Sequence, residues 1–258
     1  AAATAQNAPN TAPLVDQTRV DDAIAKGIEW LNNAKSPSAY SHEINNSDEL
    51  ILLTLVTGGV PDNDPRVQEL LKNILEAPLN RTYPVVLQAM CLEEIDRVKY
   101  QGRIAQCALF LVDNQCKNGQ WSYGQPTPAN TYEPANSVIT SGGGANNFLQ
   151  RKKPKVTRKI GVKRTRDGPD AGDNSNSQYV ALGLRACHDA GIVFPADTVP
   201  RAKQWWVSCQ IKPGKKDDVA TGAGGGVPAG WCYRVPGFCK NPDTAYGGMT
   251  AGAVGALC

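Results

Sequence analysis

Two short aromatic segments, Trp121-Ser122-Tyr123 and Trp231-Cys232-Tyr233, carry the side chains best suited to hold a ligand. Trp121, Tyr123, Trp231 and Tyr233 could line a pocket for an apolar or carbohydrate ligand. They could equally pack one structural unit against the next. Asp173 and Asn174 stand just before Ser175-Asn176-Ser177-Gln178, a capping box that opens a helix. They read either as helix caps or as polar groups at a cavity mouth, where a helix N-terminus lends partial positive charge. Cys187-His188-Asp189 holds a nucleophile and a base by type, but those groups must meet in space rather than in sequence. His188 near a helix C-terminus is favourable for dipole reasons alone. His42 beside Glu43 sits in a polar loop and is weaker still. No nucleophile elbow, P-loop or dinucleotide fingerprint occurs, and Gly222–Gly226 reads as a flexible loop. No catalytic residue is assigned and no cofactor is expected.

The chain has eight cysteines and two histidines, with no Cys-x-x-Cys, so a metal site is not expected. Cys91, Cys107 and Cys187 fall in apolar helical patterns, where cysteine acts as a small core residue. Cys232 and Cys239 bracket a Pro-Gly turn and could form a loop disulfide. The N-terminal AAATAQNAPNTAP is small and polar, like a mature chain after signal cleavage, which predicts a secreted or periplasmic protein. No apolar run reaches the roughly 20 residues of a membrane span.

Charge is unevenly spread. Arg151, Lys152, Lys153, Lys155, Arg158, Lys159, Lys163, Arg164 and Arg166 form one basic run without an acid. The remainder carries 18 basic against 24 acidic residues, so a basic insertion sits on an acidic body. Such a run reads as a solvated, mobile loop, a lid, or a contact for an anionic surface or protein partner. No aromatic residue interleaves it, so nucleic acid is an unlikely partner.

These candidate residues sit among helices. Apolar spacing predicts helices over residues 20–34, 47–57, 65–77, 82–95, 103–116, 175–190, 199–210 and 244–258. They fall into four pairs. The first member is amphipathic, as in AKQWWVSCQ, and the second apolar nearly all round, as in YVALGLRAC. An amphipathic helix faces water on one flank and an all-apolar one is buried, so the pairs predict alternating outer and inner helices. In the outer segment with Trp205-Trp206, one indole is expected in the core and the other on a contact surface. Residues 1–19 read as a linker and 20–258 as one helical domain, interrupted by an insertion at 124–172 with its basic loop at 151–166.

The connections add a signature. Gln115, Gly119 and Trp121 form a Q-x3-G-x-W element after an outer helix, and Gln210 with Gly230-Trp231 echoes it. This resembles the QW motif of the squalene-cyclase and prenyltransferase superfamily. NGQWSYG, GDNSNSQYVALGLRA and YGGMTAGAVGALC look like segments of bacterial proteins carrying prenyltransferase and squalene-oxidase repeats. The resemblance implies an all-α fold, an α/α toroid with inner helices around a central cavity. It does not carry a reaction with it. The superfamily's DxDD motif, its Asp, Cys and His zinc ligands and its thioester motif are all missing.

Four hairpins are fewer than a full toroid of this type uses. A missing segment, a further domain or a protein partner is therefore expected to cover the open inner faces. The leading expectation is an exported toroid that binds a ligand or a partner. The alternatives are an enzyme acting on an isoprenoid-like apolar substrate, and a polysaccharide lyase or hydrolase on the same toroid.

Overall fold

The computed structural model describes residues 16–33, 48–126, 153–211, 229–233, 245 and 247–258. Each helix expected from apolar spacing is present: α1 Gln17–Asn33, α2 Asp48–Thr57, α3 Pro65–Glu76, α4 Thr82–Asp96, α5 Gln101–Asp113, α6 Asn174–Asp189, α7 Thr198–Ser208 and α8 Gly247–Leu257. Two residue pairs, β1 Ile160–Gly161 and β2 Ile192–Val193, form a short parallel ladder.

Local chemistry explains the ends. The Asp64 carboxylate accepts from the Arg66 N–H at 2.8 Å and Pro65 opens α3. Gly59, at φ 89°, terminates the run that holds α2. The start of α6 differs from the expected capping box. Asp173 is the N-cap and Ser175 already lies in the first turn. Asp173 wins because it is held extended by its own N–H bonded to the Trp121 carbonyl, and its carboxylate then reaches the Asn176 N–H at 2.8 Å.

The helices pack in two layers. α2, α4, α6 and α8 form a row, each against the next, while α3 lies on α2, α5 on α4 and α6, and α7 on α8. The four helices expected to be inner thus form the row, but burial does not alternate as expected: α8 buries only Met249 and Ala253, while α5 is buried along most of its length. One apolar core runs from α2 to α6 through Leu52, Val86, Leu92 and Phe110. A smaller one joins Trp205, Trp206, Trp231, Met249 and Ala253. Both tryptophans of α7 are therefore inside, contrary to the expected split. Trp206 meets Trp231 edge-on, and the Trp205 indole donates to Asn174 Oδ1 at 2.8 Å.

The largest departure concerns the insertion. Residues 153–172 are not a free lid but a strap across the body. Lys153 Nζ lies 2.7 Å from Glu93 and 2.5 Å from Glu94. Gln101 Nε2 donates to the Arg158 and Ala190 carbonyls, both at 2.8 Å, tying the strap and the C-terminal end of α6 to α5. Thr165 gives Asp113 two hydrogen bonds, from its N–H at 2.7 Å and its hydroxyl at 2.5 Å. Arg164 reaches Asp197 at 2.6 Å and Gln115 Oε1 at 3.0 Å, and Arg166 reaches the Gln125 carbonyl at 2.8 Å. The strap explains a second departure: α5, expected to keep a wet flank, is buried along most of its length, down to Asp113. An acidic body attracts its own basic insertion, and the desolvated carboxylates at Glu93 and Asp113 need those partners.

Candidate functional site

The two aromatic segments are built alike, bond for bond. The Trp121 indole donates to the Leu111 carbonyl at 2.7 Å, and the Trp231 indole to the Trp206 carbonyl at 2.8 Å. Each acceptor lies four residues before the motif glutamine. The Trp121 N–H donates to the Ser177 hydroxyl, the Trp231 N–H to that of Thr250, each on the fourth residue of its inner helix. The turn before each tryptophan closes the same way, Cys116 N–H to Gln120 carbonyl and Ile211 N–H to Gly230 carbonyl, both at 2.8 Å. Gly230 therefore stands where Gln120 stands in the first copy, not where Gly119 does. Trp121 and Trp231 are buried and pack between units, and Trp121 also lines a groove beside α6 and α7.

Beyond each tryptophan the chain crosses to the preceding inner helix. Thr82, first residue of α4, donates its N–H to the Tyr123 carbonyl at 2.9 Å and its hydroxyl to the Ser122 carbonyl at 2.6 Å. Asn174, first residue of α6, does the same one unit later, with the Tyr233 and Cys232 carbonyls both at 2.9 Å. The segments thus satisfy orphan N–H groups at both helix ends. They also carry Tyr123 and Tyr233 to one place above those ends, with their hydroxyls 3.3 Å apart.

Two tyrosines that were not singled out in the sequence join them. Tyr83 in the first turn of α4 and Tyr179 in α6 have ring centroids 4.5 Å apart. Their signal was present, a tyrosine near the start of each of two consecutive inner helices, but only packing shows that they meet. Burial raises the Tyr83 phenol, Ser175 beside it opposes, and Asp173 and Tyr233 raise it further. The Tyr123 phenol is pushed up to about 12, chiefly by its hydrogen bond with Tyr233, then by burial and the negative charge of Asp173. Tyr83 and Tyr123 therefore present neutral hydroxyls at neutral pH. Tyr123 remains half exposed.

Asp173 lies beside this tyrosine cluster, Asn174 follows it at the start of α6, and the polar atoms of both are engaged. Asp173 accepts from the Ser175 hydroxyl at 2.6 Å, the Asn176 N–H at 2.8 Å and the Asn176 amide at 2.8 Å. Asn174 Oδ1 accepts from Trp205 and Gln120. Asn176 is fully buried, and its Oδ1 has no hydrogen-bond partner among the described residues.

Of the nine basic residues, Lys153, Arg164 and Arg166 are engaged within the chain, while Lys155, Arg158, Lys159 and Lys163 are exposed. Arg151 and Lys152 lie outside the described residues, as do His42, Gly222–Gly226 and Cys239, and with Cys239 the expected Cys232–Cys239 bridge. His188 is exposed and, among the described residues, meets the Asp189 carboxylate at 3.4 Å, while the Cys187 thiol is buried against the Ile104 carbonyl, so the two do not form a pair. Burial pushes the Cys187 and Cys91 thiols well up, and Cys107 to about 12. Among the described residues no three His, Cys, Asp or Glu side chains gather as metal ligands, and no helix is long and apolar enough to cross a membrane. Set against protein-family models, curated proteins and solved structures, the chain matches none of them.

Proposed function

We propose that this chain is an exported, non-catalytic binding scaffold of α/α-toroid type. Its ligand site is the tyrosine cluster at the inner-helix N-termini, and its ligand class is carbohydrate. The carrying observation is the meeting of Tyr123 and Tyr233, one from each motif copy, with hydroxyls 3.3 Å apart. Tyrosines that offer both a ring face and a neutral hydroxyl suit a sugar, which is apolar on its ring faces and polar around its rim. The carboxylate at this mouth supports binding over catalysis. Asp173 already accepts three hydrogen bonds as a helix cap, which leaves it poorly placed to move a proton. The row of α2, α4, α6 and α8 supports the toroid, as does the repeated bonding of Trp121 and Trp231.

A second reading, an enzyme on an isoprenoid-like substrate, is favoured by Leu50, Leu182 and Val254, which are exposed on helices of that row. One titration separates the two. Neutral oligosaccharides and farnesol are added to the full chain while intrinsic fluorescence is followed. Oligosaccharide binding that Tyr123→Ala and Tyr233→Ala each abolish bears out the first reading. Binding of farnesol alone, unchanged in both variants, moves the case to the second.

A further inference from the structure

A groove of about 290 Å³ opens between α6, α7 and α8, and none of the four clustered tyrosines lines it. Leu184, Val199 and Leu257 are among its apolar walls, and Arg185, His188 and Lys203 stand among its lining side chains. One unit earlier the corresponding helices close up, because α5 packs directly on both α4 and α6, with β2 against α5 and α6. There Cys187 lies on the Ile104 carbonyl and Ile192 is fully buried. The groove is thus a gap that the preceding unit closes by direct helix packing. Its volume sits at the bottom of the range for small-molecule pockets, roughly 300–1,000 Å³, and suits one large side chain better than a whole ligand.

The same molecule carries a matching knob. α1 has no fully buried residue. Ile28 and Leu31 rest on the core, but Val20, Ile24 and Trp30 are 37%, 48% and 70% exposed. A Cβ placed on Gly27, between them on the helix, would meet nothing. Residues 16–33 carry four acids, Asp16, Asp21, Asp22 and Glu29, against Arg19 and Lys26. The groove has the opposite balance. Asp189 answers Arg185 at 3.0 Å, and Lys203 is exposed with no carboxylate bound to it among the described residues.

We propose that the groove between α6, α7 and α8 receives helix α1 of a second copy of this chain, with Trp30 seated in the slot. A large aromatic entering a pocket with a charged rim is the usual anchor of a protein interface. Knob and slot lie on different surfaces, so the contact is heterologous. It leaves one free knob and one free slot in every pair, and builds a ring or an open chain of copies.

Sedimentation velocity of the full chain over a concentration series tests this. The expected result is a mass that climbs past the dimer as concentration rises and falls again at high salt. Trp30→Ala weakens the association by at least ~10-fold, the scale of an anchor residue. Val199→Asp in the slot does likewise, and both sites are exposed enough for the variants to fold. Mixing the two variants is decisive, because each retains the face the other has lost. A 1:1 complex and nothing larger is expected. A chain that stays monomeric up to its solubility limit overturns the proposal. So does a dimer that grows no further, or self-association untouched by Trp30→Ala.

Discussion

Trp121 and Trp231 do the same job one unit apart: each indole N–H reaches back to a carbonyl of the preceding outer helix, at 2.7 and 2.8 Å. The motif tryptophan is therefore a clasp between an outer helix and the next inner one. Replacing Trp121 with Phe keeps most of the apolar bulk but leaves the buried Leu111 carbonyl unpaired, a cost of about 1–3 kcal/mol. Trp121→Ala adds a cavity and is expected to cost about 3–5 kcal/mol. Urea unfolding of the two variants reads both numbers, and equal stability to the parent would refute the clasp.

Gly119 makes a separate prediction. It adopts φ +95°, and a Cβ there would fall onto the Arg201 carbonyl of α7. Gly119→Ala therefore meets strain and a backbone collision together, and is expected to lower stability by more than ~1 kcal/mol. Gly161→Ala, where a Cβ meets nothing within reach, is the matched control in the same denaturation series.

The strap should behave as part of the body. Burial by itself would lower the Lys153 ammonium, but hydrogen bonds to Glu93 and Glu94 more than offset this and hold it above its ordinary value. That contribution is complete below the ordinary lysine range and is lost as pH rises through the raised folded value. Asp197 is the mirror case. Its hydrogen bond with Arg164 holds the carboxyl below the usual range, so its contribution is present above about pH 4 and is lost as pH falls through the lowered folded value. Lys153→Met should remove the alkaline dependence and cost about 1–3 kcal/mol, because two poorly hydrated carboxylates lose a partner. Stability of parent and variant from pH 3 to 11 is the measurement. Limited trypsin digestion adds a kinetic check: rapid cutting after Arg164 in the native protein would contradict the strap.

The tyrosine pair can be followed by its own absorbance. Phenolate from Tyr123 should appear near pH 12 rather than near 10, chiefly because of its hydrogen bond with Tyr233. Tyr233→Phe should return it toward the ordinary value. A tyrosine whose folded value is raised stabilises the fold below pH 10 and loses that contribution as pH climbs toward 12. An unchanged titration in the variant would mean that the hydroxyls do not meet in solution.

Thiol chemistry should sort by burial. Cys258 is exposed and should react with a disulfide reagent at once, whereas Cys91, Cys107 and Cys187 should react only on unfolding. Their burial raises each thiol and denies it a reagent. Modification of all of them in the native protein at one rate would disprove the placement of these cysteines in the core.

The amino-acid sequence by itself determined the helices. Apolar residues at helical spacing, the Asp64-Pro65 start and the Gly58-Gly59 stop act within a few residues of one another, and local physics decides them. It also showed that two motif copies existed, though not that Gly230 takes the place of Gln120. Tertiary structure alone decided the fate of the basic insertion. Lys153 and Arg164 look solvated in sequence because their acids, Glu93 and Asp197, are 60 and 33 residues away. It alone brought Tyr83, Tyr123, Tyr179 and Tyr233 together, since side chains on separate helices meet only once the inner row has packed. The burial of both Trp205 and Trp206 has the same origin. A single helix has one inner face, but α7 sits where the start of α6 and the Trp231 segment approach from two sides.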